Sequence, residues 1–132
     1  MTRILILGIA VTSMMVSGHA QIRKTTLACD RLALSPTARH RHFDVLSPAL
    51  RQAHKQIREL PDGYEFEFPT DEATVQMLSE WAAGERLCCP FFDVDLRYAH
   101  DNGGFWLRLT GGEGVKQFIQ ADFAKWFERS AH

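Results

Sequence analysis

The strongest constraint on the fold is an alternation of apolar and charged residues in three short segments, broken only by Trp106 in the third. Residues 64–68 read Tyr-Glu-Phe-Glu-Phe, and a similar alternation recurs over 92–98 and 105–109. Because successive side chains of a strand point to opposite faces, each segment predicts a strand with one buried and one wet face. The turn-forming run Asp-Asn-Gly-Gly at 101–104 lies between the last two segments and predicts a hairpin.

The segments before, between and after these strands have the periodicity of helices. Ser35 and Pro36 predict a helix start, since serine caps a helix and proline fits its first turn. An apolar stripe at spacings of three and four follows: it comprises Phe43, Leu46, Leu50, Ala53, Ile57 and Leu60. Pro48 interrupts this stripe and predicts a kink or a second helix start. Two further helices are predicted within 70–89 and 115–127.

The predicted elements define a fold class. A short first strand is expected over 27–34. The resulting order, β-α-β-α-β-β-α, predicts a single α+β domain over 27–128, with its helices packed on one face of a small mixed or antiparallel sheet. The chain has 132 residues, of which 45% are hydrophobic, and this is enough for one compact core.

The charge balance argues against nucleic-acid binding. The chain carries 15 basic and 16 acidic residues and a formal net charge of -1, whereas nucleic-acid binding favours a basic excess. The local run Arg-His-Arg-His at 39–42 is interpreted as the solvated start of a helix. We therefore expect no nucleic-acid partner, and the sequence identifies no protein partner.

The amino terminus has the pattern of a secretory signal. Arg3 precedes an apolar stretch, and small residues at Gly18 and Ala20 suit cleavage before Gln21. This predicts a signal peptide over 1–20, a flexible leader over 21–26, no stable membrane span after cleavage, and a periplasmic or secreted domain. The alternative is a cytoplasmic protein whose translation starts at one of the two methionines at 14 and 15.

The chemically distinctive feature is a vicinal thiol pair at the end of a predicted helix. Glu85 precedes Cys88 by three residues and Cys89 by four, so the three side chains share one helix face. Pro90 ends this helix. The negative end of the helix dipole, the carboxylate and burial each raise a thiol pKa, so we expect raised thiol pKa values. A bound cation would deprotonate such thiols itself.

The third cysteine, Cys29, is expected at the same buried edge as the pair. Three thiolates suit a soft ion such as Zn(II), Cu(I), Hg(II) or As(III). Glu85 is then a fourth ligand or a neighbour that supports the ligands, and a histidine is a further candidate for a four-coordinate zinc site. The sequence thus predicts a non-enzymatic metal site formed by Cys88, Cys89, Cys29 and Glu85.

Three alternatives remain open from the residues alone. The first is a thiol redox or thiol-transfer enzyme with Cys88 or Cys89 as its nucleophile, which a lowered thiol pKa would favour. The second is a structural or protein-interaction domain in which the cysteines only pack as small apolar side chains. The third is a structural disulfide from Cys29 to Cys88 or Cys89.

The run Glu-Arg-Leu-Cys-Cys-Pro-Phe-Phe at 85–92 resembles the signature of a family of small uncharacterised bacterial domains. Matching features are a cysteine near the start, at Cys29, a turn at 60–64 and the Leu-Thr-Gly stretch at 109–111, so the resemblance covers roughly residues 27 to 127. Some of these domains occur beside mercury-type regulators or heavy-metal resistance genes. The resemblance implies a fold, a candidate site and a link to metal resistance, and no reaction. The signal-like leader departs from most such domains.

Overall fold

A computed structural model describes residues 27–130. Their helical segments and strands, in chain order, are a 3-10 turn Arg31–Ala33, α1 Pro36–His40, a π-helical segment Arg41–Leu46, α2 Ser47–Ala53, β1 Gln56–Leu60, β2 Gly63–Phe68, α3 Glu72–Cys88, β3 Asp93–Tyr98, β4 Phe105–Thr110, α4 Val115–Asp122 and α5 Ala124–Ser130. The predicted signal peptide over 1–20 and leader over 21–26 lie outside these residues.

The four strands form one open antiparallel sheet in the order β1-β2-β4-β3. Two hairpins, β1-β2 and β3-β4, meet through the central pair β2-β4, in which Phe66 is opposite Leu107. The predicted α+β class with an antiparallel sheet is confirmed.

The core lies between one face of this sheet and the helices. Phe66, on β2, contacts the rings of Phe123 and Trp126, whose centroids lie 5.8 and 5.6 Å away. Trp81, on α3, packs against the same two rings from the helix layer. Burial of each such side chain contributes about 1.5–3 kcal/mol to the free energy of unfolding. This aromatic cluster ties α3 and α5 to the sheet and holds the end of α3 in place.

The predicted first strand over 27–34 is wrong. Residues 31–33 form the 3-10 turn, because the Asp30 side chain accepts a hydrogen bond from the Leu32 N–H at 3.0 Å and so caps a turn. The Asp30 N–H donates to the Cys88 carbonyl oxygen at 2.7 Å. This segment therefore attaches to the end of α3 and does not join the sheet. The first strand of the sheet is β1, which forms one of its two edges.

The predicted length of the first helix is also wrong. The helix ends at Ala53, and the last two residues of its apolar stripe, Ile57 and Leu60, belong to β1. Their spacing of three fits a helix, but pairing with β2, in which Ile57 is opposite Phe66, satisfies the backbone of a strand. At the predicted kink or second helix start, the helical hydrogen bonding changes from π to α at Ser47. The backbone of Leu46 is itself helical, with φ -68° and ψ -48°, so no separate helix begins there.

Candidate metal centre

The vicinal cysteines lie where α3 is forced to end. The helix starts at a cap in which the Asp71 side chain accepts from the Thr74 N–H at 3.0 Å. It continues to Cys88, and Cys89 leaves helical geometry with φ -125° and ψ 66°. Pro90 accounts for this, because the residue before a proline avoids the helical region. The two thiols are thereby presented at a fixed helix terminus.

The structure brings Cys29 to this pair. The Sγ atoms of Cys29, Cys88 and Cys89 all lie within 4.8 Å of one another, and those of Cys88 and Cys89 are 4.0 Å apart. Sulfur atoms on one tetrahedral zinc ion lie roughly 3.8 Å apart, given Zn–S bonds of about 2.3 Å. The three cysteines therefore lie close enough together to hold a metal ion. All three cysteines are free thiols, so the structure does not contain the disulfide from Cys29 to Cys88 or Cys89 that was one alternative.

A second group shares Cys88 with the first. The ligand atoms of His42, Glu85 and Cys88 lie within 4.8 Å of one another. His42 Nε2 is 2.8 Å from Glu85 Oε2, which is in turn 3.7 Å from Cys88 Sγ. All three side chains are buried. Glu85 thus lies beside the thiols, as its spacing predicted, and it links them to a histidine.

His42 is the residue that sequence reasoning missed. The interpretation of 39–42 as a solvated helix start is wrong at this position, because only 3% of His42 is exposed. Its ring stacks on Trp81 with centroids 5.4 Å apart, and it lies directly over Gly84, where a Cβ atom would approach Nδ1 to 2.6 Å. The spacing of the residues could have indicated this. His42 lies four residues before Leu46 and eight before Leu50, so it belongs to the same buried helix face, one residue before Phe43, where the predicted apolar stripe began.

The thiol pKa values differ from the expectation at one position. A hydrogen bond from Cys89, together with His42, lowers the pKa of the Cys88 thiol to about 4 despite its burial. Burial raises the pKa of Cys29 to about 12. The hydrogen bond to Cys88 and burial raise the pKa of Cys89. The prediction of raised values agrees with the directions for Cys29 and Cys89 and is wrong for Cys88, because it included neither the hydrogen bond from Cys89 nor the histidine.

The electrostatic partner of the thiolate is the buried imidazole. Burial alone would lower the pKa of His42, but its interactions with Cys88 and Glu85 raise the pKa to about 9. Burial raises the pKa of the Glu85 carboxyl, against the opposing effect of His42. The directions of these pKa changes are those of a thiolate–imidazolium pair at Cys88 and His42, in which each charge stabilises the other.

Access to the sulfur atoms is uneven. The side chains of Cys88 and Cys89 have 0% exposure, whereas Cys29 is partly exposed. A small ion can reach the cluster at Cys29, while a bulky disulfide or thioester cannot approach Cys88 without a displacement of its neighbours. The arrangement is thus better suited to holding an ion than to attack on a large substrate.

Comparisons with protein-family models, with curated proteins and with solved structures found no match. The resemblance to small bacterial domains stays a prediction. Among residues 27–130, no helix combines the length and the apolar character that crossing a membrane requires.

Proposed function

We propose that this domain binds one soft, thiophilic ion, from the group Zn(II), Cu(I), Hg(II) and As(III), through Cys29, Cys88 and Cys89. The observation that carries the proposal is the convergence of three sulfur atoms within 4.8 Å of one another. Soft ions prefer thiolates over the oxygen ligands that hard ions select. The binding is non-enzymatic in this proposal.

The charges of the site suggest an order of events. The Cys88 thiolate already exists at neutral pH and supplies the first bond. The ion then displaces the protons of Cys29 and Cys89, whose thiols are neutral in its absence. The His42 imidazolium offsets part of the negative charge of the three thiolates, two of which are buried. This pairing favours an ion of low or moderate charge.

Glu85 has a separate role that depends on the ion. Its Oε2 atom, 3.7 Å from Cys88 Sγ, supplies a fourth ligand to a four-coordinate ion such as Zn(II). For an ion that takes three sulfurs, Glu85 instead remains hydrogen-bonded to His42 and keeps the imidazole in place. We expect the Glu85→Gln variant to bind three-coordinate ions more tightly than four-coordinate ions such as Zn(II).

A second candidate function is a thiol redox or transfer enzyme with Cys88 as nucleophile. The lowered pKa of Cys88 and the adjacent His42 favour it, since a thiolate is the reactive form. Against it stands the complete burial of Cys88. Of the two functions, ion binding needs the smaller change in structure, since the three sulfur atoms already lie within 4.8 Å of one another. If the predicted signal peptide is cleaved, the ion would be held outside the cytoplasm, in agreement with a role in metal resistance.

The test is an anaerobic titration of the reduced domain with each of the four ions. One ion per chain, bound far more tightly than by a simple thiol, is expected for the native protein. The C88S/C89S double variant should lose this binding, and C29S should weaken it. Ile119→Val, a conservative change of a fully buried side chain, is the control for reduced stability and should bind normally. Equal affinity in the native and C88S/C89S proteins would overturn the proposal.

A further inference from the structure

Beside the cysteine cluster lies a cavity of about 340 Å³. It is enclosed by the π-helical segment and α2 on one side, by α3 at its floor and by the junction of α4 and α5 on the other. Glu85 lines this floor and is 3.7 Å from Cys88 Sγ. Glu85 therefore lies between the cavity and the Cys88 thiol, and a displacement of its side chain would open a path between them.

The walls of the cavity are aromatic. Phe43, Trp81, Phe123 and Trp126 all line it. The rings of Trp81, Phe123 and Trp126 pack at centroid distances of 5.5 to 6.4 Å from one another. Such a wall favours a flat apolar group, and a volume in this range accepts a molecule built on one aromatic ring.

The rim of the cavity is mostly cationic. Arg31, Arg51 and Lys125 line it, against one acid at the rim, Asp122. Partial burial and the negative charge of Cys88 raise the pKa of Asp122, so the rim and the thiol lie within electrostatic reach of each other. The Arg31 guanidinium lies 3.7 Å from the centre of the Phe43 ring, which holds it at the rim. Three cations around an aromatic space suit a ring that bears an anionic substituent.

Resting on the proposed function, we propose that this cavity accommodates the organic group of a monoaryl arsenic(III) species bound at the cysteine cluster. Arsenite bonds to three sulfurs, whereas an arylarsonous acid has one position already taken by carbon. It therefore uses two thiols, Cys88 and Cys89, and its ring takes the cavity once the Glu85 side chain has moved aside from His42. An acidic substituent on the ring is held by the cations of the rim.

The binding step is a ligand exchange without oxidation or reduction. The aryl-As(OH)₂ group reacts with two thiol equivalents, so that two As–O bonds break and two As–S bonds form. Two molecules of water leave, formed from the two displaced hydroxyl groups and two protons, one from the Cys89 thiol and one from the Cys88–His42 pair. The carbon–arsenic bond stays intact, and arsenic stays in the +III state throughout.

The test compares phenylarsonous acid with arsenite on variants that fill the cavity. Ala121 and Ala124 line it and are exposed, so A121L and A124L leave the core unchanged. Each is expected to weaken phenylarsonous acid binding by roughly ten- to hundredfold, because a buried ring is displaced. Arsenite binding should stay within about twofold of the native value. Each affinity is expressed as a ratio to the affinity of dithiothreitol for the same compound, because dithiothreitol offers two thiols and no cavity.

Two further variants sharpen the result. C29S should weaken arsenite binding and spare phenylarsonous acid, since only arsenite needs the third sulfur. R51Q should reduce the preference for 4-carboxyphenylarsonous acid over the phenyl compound. If arsenite binds tightly but A121L and A124L leave phenylarsonous acid unaffected, this inference fails while the metal site stands. If neither compound binds better than dithiothreitol predicts, this inference fails, and the titrations with Zn(II), Cu(I) and Hg(II) then decide the proposed function.

Discussion

The Nε2 atom of His42 lies 2.8 Å from the Oε2 atom of Glu85, and both side chains are almost completely buried. The pair joins the π-helical segment to α3 across 43 residues of sequence. Through it the helix that carries the vicinal cysteines is held next to a positive charge. The stability of the domain and the ionisation of Cys88 therefore depend on the same contact.

Removal of one partner should be costly, while removal of both should be tolerated. His42→Ala leaves Glu85 buried without its partner, and a loss of about 3–5 kcal/mol in the free energy of unfolding is expected. The double variant H42A/E85Q should lose less than the two single variants together. Urea unfolding of the metal-free domain measures this. Additive losses would show that the pair is not coupled.

Only one of the three thiols should be ionised at neutral pH. The Cys88 thiolate, with its lowered pKa of about 4, should persist as the pH falls from neutral and disappear only near that value. Ultraviolet absorbance of the thiolate follows this titration. The signal should be absent in C88S, and in H42Q it should be lost at a higher pH, because the nearby positive charge is gone. A native signal that vanishes near the ordinary thiol pKa would contradict the imidazolium–thiolate pair.

Gly84 should tolerate no side chain while His42 is present. A Cβ atom there would lie 2.6 Å from His42 Nδ1, so Gly84→Ala must displace the ring. We expect lower stability and weaker ion binding, although alanine by itself favours a helix by about 1 kcal/mol. In the H42A background the ring is missing, and the same substitution should be stabilising. Comparison of G84A with H42A/G84A by thermal unfolding decides this, and a loss in both backgrounds would point to another cause.

The buried thiols should resist bulky reagents in the native state. Cys88 and Cys89 have 0% exposure, and burial keeps Cys29 protonated. An aromatic disulfide reagent is therefore expected to modify the folded domain slowly and to modify three thiols after unfolding. Rapid reaction at Cys88 in the native protein, located by mass spectrometry, would instead favour the thiol-transfer enzyme.

The strands were predictable to different degrees. Three of them, β2, β3 and β4, follow from local alternation. The predicted burial of one face and exposure of the other is wrong in part, because Glu65 and Trp106 are buried as well, while Leu96 and Tyr98 on the edge strand β3 are exposed.

The fourth strand, β1, was assigned to a helix. Ile57 and Leu60 fit a helical spacing, and only pairing with β2 beyond the turn at 61–62 selects the extended form. The interpretation of 27–34 as a strand failed for a related reason, since Asp30 bonds to Cys88 and to no strand.

The candidate site was likewise predictable only in part. The sequence alone determined that Glu85, Cys88 and Cys89 share one helix end, because residues three and four apart meet on every α-helix. Only the tertiary structure decided that Cys29 joins them, that His42 is buried at Gly84 and that the pKa of Cys88 is lowered. The pKa of a buried group depends on charges a few ångströms away. Here these charges come from a segment distant in sequence, and only the packing of the helices brings it to the thiols.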